Sequence, residues 1–154
     1  MAEPTINIYR DLIVPLGDSL RQDPRFAGVK NIVYDKDEIS YNEMPCIEYY
    51  VDSPWTDETR GSGSFSPQTR RMTARIAFNI WCYDARSQAS MDETMFELGG
   101  LLLDHIRERR YFSEAAGIAV SNTPALWEVA RPETDQGFVG LHRLVFEFDI
   151  FAAN

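Results

Sequence analysis

The chain is poor in the residues that carry most protein chemistry, with only two cysteines and two histidines among its 154 residues. Cys46 and Cys82 lack CxxC spacing, which argues against a zinc or thiol-redox site, and both fall on strand patterns where a free cysteine packs as a small reduced hydrophobe. His105 and His142 have no neighbour at HxH or HxxxH spacing, so the sequence predicts packing roles for both. There is no GxSxG elbow, and Gly61-Ser62-Gly63 lacks both the lysine of a P-loop and the spacing of a dinucleotide fingerprint. No catalytic residue, metal or cofactor is therefore expected.

Long apolar runs are absent too. Nothing approaches the roughly 20 residues of a membrane span, and the start Met-Ala-Glu-Pro lacks the basic and apolar regions of a secretory signal. The expectation is a protein made and matured in the cytoplasm, with no membrane partner. Positive charge is also scarce: 15 Lys and Arg stand against 24 Asp and Glu, a net charge of -9. Such a surface repels phosphate on average, which disfavours a dedicated nucleic-acid binder. An acidic conduit through which DNA slides without being held remains compatible with it.

What is present is core material. Nine Phe, seven Tyr and three Trp exclude a disordered chain, and a length of this order suits one domain that buries about 70% of its unfolded surface. The clearest pattern is a strand over residues 72–83, where Met72, Ala74, Ile76, Phe78, Ile80 and Cys82 alternate with polar Thr73, Arg75 and Asn79. Ile8, Tyr9, Leu12, Ile13, Leu16 and Leu20 recur at three- and four-residue steps and predict an amphipathic helix over residues 5–22. Pro15 should kink or restart it, and Asp23-Pro24 should end it.

Residues 29–34 read as a short strand and residues 45–51 as a better one, with Pro45 at its first position, where a missing donor is tolerated. Residues 52–71, rich in Ser, Thr, Gly and Pro, predict a long flexible loop. After it and the 72–83 strand, Ser87 or Ser90 caps a second helix reaching about Arg110. Its apolar stripe is Met91, Met95, Leu98, Leu102 and Ile106, and Gly99-Gly100 in its middle suggests close approach to a sheet. Residues 118–120 and 126–130 flank Pro124 and read as one interrupted or bulged strand. A polar loop over residues 131–137 leads to a last strand over residues 138–151. The order is α-β-β-loop-β-α-β-β: a single α+β domain over residues 1–154, a mainly antiparallel or mixed sheet packed by two main helices.

Three segments carry a family resemblance: Asp23-Pro24-Arg25-Phe26-Ala27 closing the first helix, Asn31-Ile32-Val33-Tyr34, and Met44-Pro45-Cys46-Ile47-Glu48-Tyr49. With Phe78-Asn79-Ile80-Trp81-Cys82-Tyr83, the second helix and two final strands, the chain resembles the tail terminator (tail-completion) proteins of long-tailed bacteriophages along nearly its whole length. The resemblance implies a homo-hexameric ring that caps the tail tube, ends its polymerisation and offers a surface to a head–tail connector or neck protein. DNA would pass through without specific binding. The protein would belong to the neck end of the virion tail, assembled in the host cytoplasm.

On that reading Trp55 and Phe65 are apolar anchors for a neighbour or the tube, although both could fold back onto their own domain. Arg60, Arg70 and Arg71 would pair with acidic faces. Glu147 and Asp149, like charges on one strand face, would accept a neighbouring subunit's arginine. Two alternatives stand beside it. One is a head-closure or other neck protein. The other is a small cytoplasmic enzyme or ligand-binding domain resting on His105, His142 and the acidic pairs Asp35/Asp37, Asp57/Glu58 and Glu147/Asp149, which hard cations favour.

Overall fold

The structure, a computed structural model, describes residues 7–60, 69–108, 116–120 and 124–152, with backbone alone for 53–60, 69–72, 116–120 and 151–152. The chain opens with a π-helical turn, Tyr9–Ile13, that runs directly into α1, Val14–Gln22. Asn7 starts it: its Oδ1 accepts the Arg10 N–H at 2.9 Å, and Asp11 Oδ2 accepts the Asn7 N–H at 2.9 Å. The expected kink at Pro15 is displaced. The wide turn precedes the proline and leaves it in the first turn of α1, where a missing N–H is harmless. Ile8, Leu12, Ile13, Leu16 and Leu20 are buried as their spacing requires, whereas Tyr9 of the same stripe is 55% exposed.

The strands form one mixed sheet. Strand β1, Asn31–Tyr34, runs parallel to β2, Cys46–Arg60, which pairs antiparallel with β3, Thr69–Asp84. Strand β3 pairs in turn with β6, Phe138–Ala152. Beyond β6 lie β4, Ala116–Val120, and β5, Leu126–Ala130, both on the same side of that one strand: β4 faces residues 148–152 and β5 faces residues 141–145. Together they act as the interrupted strand expected around Pro124. The α+β fold with two main helices is the one the sequence predicts.

The loop expected over residues 52–71 needs correction, because the β2–β3 pairing continues through Asp57↔Met72, Thr59↔Arg70 and Arg60↔Thr69. Residues 52–60 and 69–71 are strand; residues 61–68, including Phe65, lie outside the described residues. Low side-chain hydrophobicity hid a backbone ladder whose bonds do not depend on side chains. Register shifts between Val51 and Ser53 and between Ser53 and Thr56 mark where the strand bends.

Helix α2, Gln88–Arg107, is capped by Ser87, whose Oγ accepts the Ser90 N–H at 3.2 Å. Its stripe of Met91, Met95, Leu98, Leu102 and Ile106 is buried against Phe78, Phe146 and Phe148 in one continuous core. Two glycines let helix and sheet approach. A Cβ on Gly99 would sit 2.6 Å from the His142 ring, and one on Gly140 of β6 would overlap the Met91 sulfur. Gly100, by contrast, has nothing within 4 Å of a Cβ.

The neighbouring glycines thus predict opposite effects. Gly99→Ala must push α2 off His142 and should destabilise by about 1–3 kcal/mol. Gly100→Ala meets open space and should stabilise by about 0.5–1 kcal/mol through helix propensity. Urea titrations of both variants check this, and equal effects of one sign would refute the close-approach argument.

Candidate functional site

One face of the sheet is covered by α1 and α2; the other carries a polar ladder written by strand register. Arg75 of β3 lies opposite Glu147 of β6, and Thr73 lies opposite Asp149. Arg75 Nε donates to Glu147 Oε1 at 3.4 Å and Thr73 Oγ1 donates to Asp149 Oδ1 at 2.7 Å. The two like charges on β6 are therefore each met from the adjacent strand of the same chain. Further along, Asn79 Nδ2 donates to Glu48 Oε1 at 3.1 Å, and Arg143 Nε donates to Asn79 Oδ1 at 3.0 Å while its other arm reaches the Tyr50 hydroxyl. This chain ties β2, β3 and β6 together and satisfies a carboxylate that is 8% exposed.

The other sequence-predicted positions fall on the β2–β3 hairpin. Trp55 sits in the register shift before Thr56; Arg60, Arg70 and Arg71 sit at the paired positions Arg60↔Thr69, Thr59↔Arg70 and Glu58↔Arg71. The structure thus divides the expected residues between two places, a hairpin arm and the open face of β6.

A second constellation joins the two helices. Asp23, just past α1, accepts from Arg25 at 2.7 Å, and His105 of α2 bonds Asp23 through Nδ1 at 2.8 Å and Ser19 Oγ through Nε2 at 2.8 Å. The outline is that of a serine–histidine–aspartate set. The Ser19 hydroxyl is also engaged by the Leu16 carbonyl at 2.7 Å, to which it donates. The side chains of Asp23 and His105 are fully buried, and the set works as a clamp between helices. Arg25, which also reaches Glu108 Oε2 at 2.9 Å, is the main reason the Asp23 carboxyl is held far below the usual range. Burial opposes that shift and His105 adds to it.

His142 has neither kind of support. It is fully buried among Gly99, Phe96 and Trp127, and among the described residues neither ring nitrogen has a hydrogen-bond partner of good geometry. Burial lowers its pKa, although the Met95 backbone favours the charged form, so it packs as a neutral ring. Burial likewise pushes the Cys46 thiol up to about 11 and the Cys82 thiol up to about 12, which removes thiolate chemistry at neutral pH.

A groove of about 720 Å³ lies elsewhere, among Tyr41, Met91, Arg131, Thr134, Asp135 and Phe138, and neither histidine lines it. Tyr41 stacks on Tyr83 with ring centroids 4.6 Å apart and bonds Thr134 Oγ1 at 2.6 Å; Arg131 pairs with Asp92 at 3.0 Å. Among the described residues no group of three or more His, Cys, Asp or Glu could hold a metal ion, and no helix is long and apolar enough to cross a membrane.

Sequence reasoning missed the Ser19–His105–Asp23 clamp, whose members are 82 and 86 residues apart. It also missed the exposed aromatics Phe96 and Trp127. Phe96 was detectable: it stands one position off the buried stripe, on the flank where the helix should be polar. The chain matches no protein-family model and no curated protein sequence.

The clamp sets an acid limit. Because the Asp23 carboxyl is depressed in the fold, its contribution is complete above the ordinary aspartate value of 3.8 and is lost as pH falls through the lower folded value. Asp23→Asn should cost about 3 kcal/mol at neutral pH and flatten the fall in stability below about pH 4. Denaturant melts across that range test it; wild-type and variant curves that stay parallel would remove Asp23 from the acid transition.

Proposed function

We propose that the protein is a structural component of a phage tail: a tail-terminator-like subunit that joins identical copies into a ring, a hexamer as in that family, and caps the tail tube. The observation that carries this reading is the element order, in which a first helix, a short parallel edge strand, a long β2–β3 hairpin, a second helix and two closing strands make one mixed sheet. The order of helices and strands is the one the family resemblance implies, whereas the parallel pairing and the long hairpin are not part of that expectation. Two further features support it. The polar groups of the open face and the helix clamp are used in holding the fold together, and the net charge of -9 suits a conduit that does not retain DNA.

In this reading the hairpin is the part that meets the tube. Its end carries Arg60, Arg70 and Arg71 on paired strands, and Phe65 lies in the segment that joins them. Function of this kind is geometric: a closing contact between copies and one face complementary to the last tube ring. The neck-protein reading shares this geometry and differs in what is bound.

The test is addition of the purified chain to polymerising tail tubes. Capped tubes of limited length, with a free-chain mass near six times 17.7 kDa, support the terminator reading. Binding to filled heads in place of tubes favours the neck protein, and a stable dimer indifferent to both favours a ligand-binding domain using the groove beside Tyr41. Removal of residues 61–66 should abolish capping; full capping by that variant would take the hairpin out of the proposal.

A further inference from the structure

Among the described residues His142 is the titrating side chain that is fully buried with both ring nitrogens short of a hydrogen-bond partner. A native fold carries few such groups, and each calls for an explanation. The ring stands on the inner face of β6, opposite Ile80 of β3 and Val129 of β5. Gly99 of α2 lies against it, and Trp127 and Phe96 meet it edge to face with ring centroids 4.4 and 5.5 Å away.

Among the described residues no charged side chain faces it. On β3, Cys82 shares the inner face as a neutral thiol. On β6, Arg143 turns to the other face and bonds Asn79, and Glu128 of β5 stands opposite Arg143 on that same outer face. On α2, Asp92 is taken by Arg131 and His105 by Asp23, while Glu93 and Glu97 are exposed. These surroundings accommodate the neutral imidazole and penalise the imidazolium. Burial lowers the pKa of the ring more than the Met95 backbone raises it.

Of the elements that cover the ring, β5 is the least firmly held. It is five residues long, it is bonded in the sheet to β6 alone among the described strands, and four of its five residues are exposed. Helix α2, by contrast, is 20 residues long and buries Met91, Met95, Leu102 and Ile106. The Arg131–Asp92 pair ties the chain just past β5 to α2, which keeps an opening of this strand local.

We propose that His142 is an acid-sensitive latch for this edge: uptake of one proton by the ring releases β5, with Trp127 and Val129, from β6 and leaves the rest of the sheet in place. The released form bares His142 and the β6 edge over residues 141–145; the closed form hides both. Linkage sets the direction. A ring whose pKa is lower in the closed form takes up its proton preferentially in the open one. Closure is therefore complete above the ordinary histidine value of 6.5 and weakens as pH falls from there to the closed-state value. This window begins above that of the Asp23 clamp, so the latch opens before the helices part. Attraction of an imidazolium to the Phe96 and Trp127 rings acts in the opposite sense, and the experiment reads which effect is larger.

The experiment is hydrogen–deuterium exchange on the full chain between about pH 4.5 and 7.5, corrected for the intrinsic pH dependence of exchange. The opening constant of the β5 amides should rise by up to about tenfold for each pH unit below 6.5, while amides of residues 74–80 in β3 stay unchanged. His142→Leu, with its folding checked by far-UV circular dichroism, should lose that slope. If the replacement unfolds the chain, the NMR titration of the His142 ring in the wild type decides, with a midpoint below 6.5 expected. Protection of β5 that does not change with pH, a slope kept by His142→Leu, β3 amides that open together with β5, or a ring midpoint at or above 6.5 would each overturn the latch.

Discussion

Strand β6 is the constraint on which this side of the fold depends, because it pairs with three strands and also packs against α2. It pairs with β3 along one side and with β4 and β5 along the other, while α2 lies on its inner face. That last contact is possible because each partner has a glycine where the other is bulky: Gly99 of α2 receives the His142 ring, and Gly140 of β6 receives Met91. A helix held so close transmits position. The same His142 ring then supports Phe96 and Trp127, so the placement of an exposed patch follows from packing inside.

The polar groups divide by the same geometry. Residues on the outer face of β6 meet partners fixed by register, so Glu147, Asp149 and Arg143 are satisfied by Arg75, Thr73 and Asn79 across one strand spacing. The helix clamp solves a harder problem, since Asp23 and His105 lie where water is excluded. An aspartate there is tolerable only with several donors, and Arg25, its own backbone N–H and His105 supply them. What resembles a catalytic set is therefore held in place by the need to satisfy a buried charge between two helices.

Much of this was legible in the chain because it is periodic. The alternation of Ala74, Ile76, Phe78 and Ile80 and the stripe from Met91 to Ile106 gave strand and helix directly, and Pro124 marked the break between β4 and β5. Residues 52–60 were misread for the opposite reason: Ser, Thr, Asp and Glu give no apolar period, yet their backbone pairs with β3. The clamp was beyond reach of any local rule, as only the tertiary fold brings residue 105 to residues 19 and 23. Glu147 and Asp149 were placed correctly on one face, but their partners depended on a register that sequence alone does not determine.

The acidic balance bears on how copies of such a chain could associate on the proposed reading. At a net charge of -9 per chain, identical copies repel at long range, and this repulsion fades beyond about 8 Å at physiological salt. Attraction must therefore be short-ranged and local. Apolar aromatic area has that character, whereas contact through the open face would bring the carboxylates Glu147 and Asp149 toward a chain that is itself acidic. Arg75 and Arg143 of the open face are already used within the chain, and the inner face is filled by the helices. On the proposed reading, both faces of the sheet are occupied by the fold's own contacts, so a partner such as the tube is met at the hairpin end.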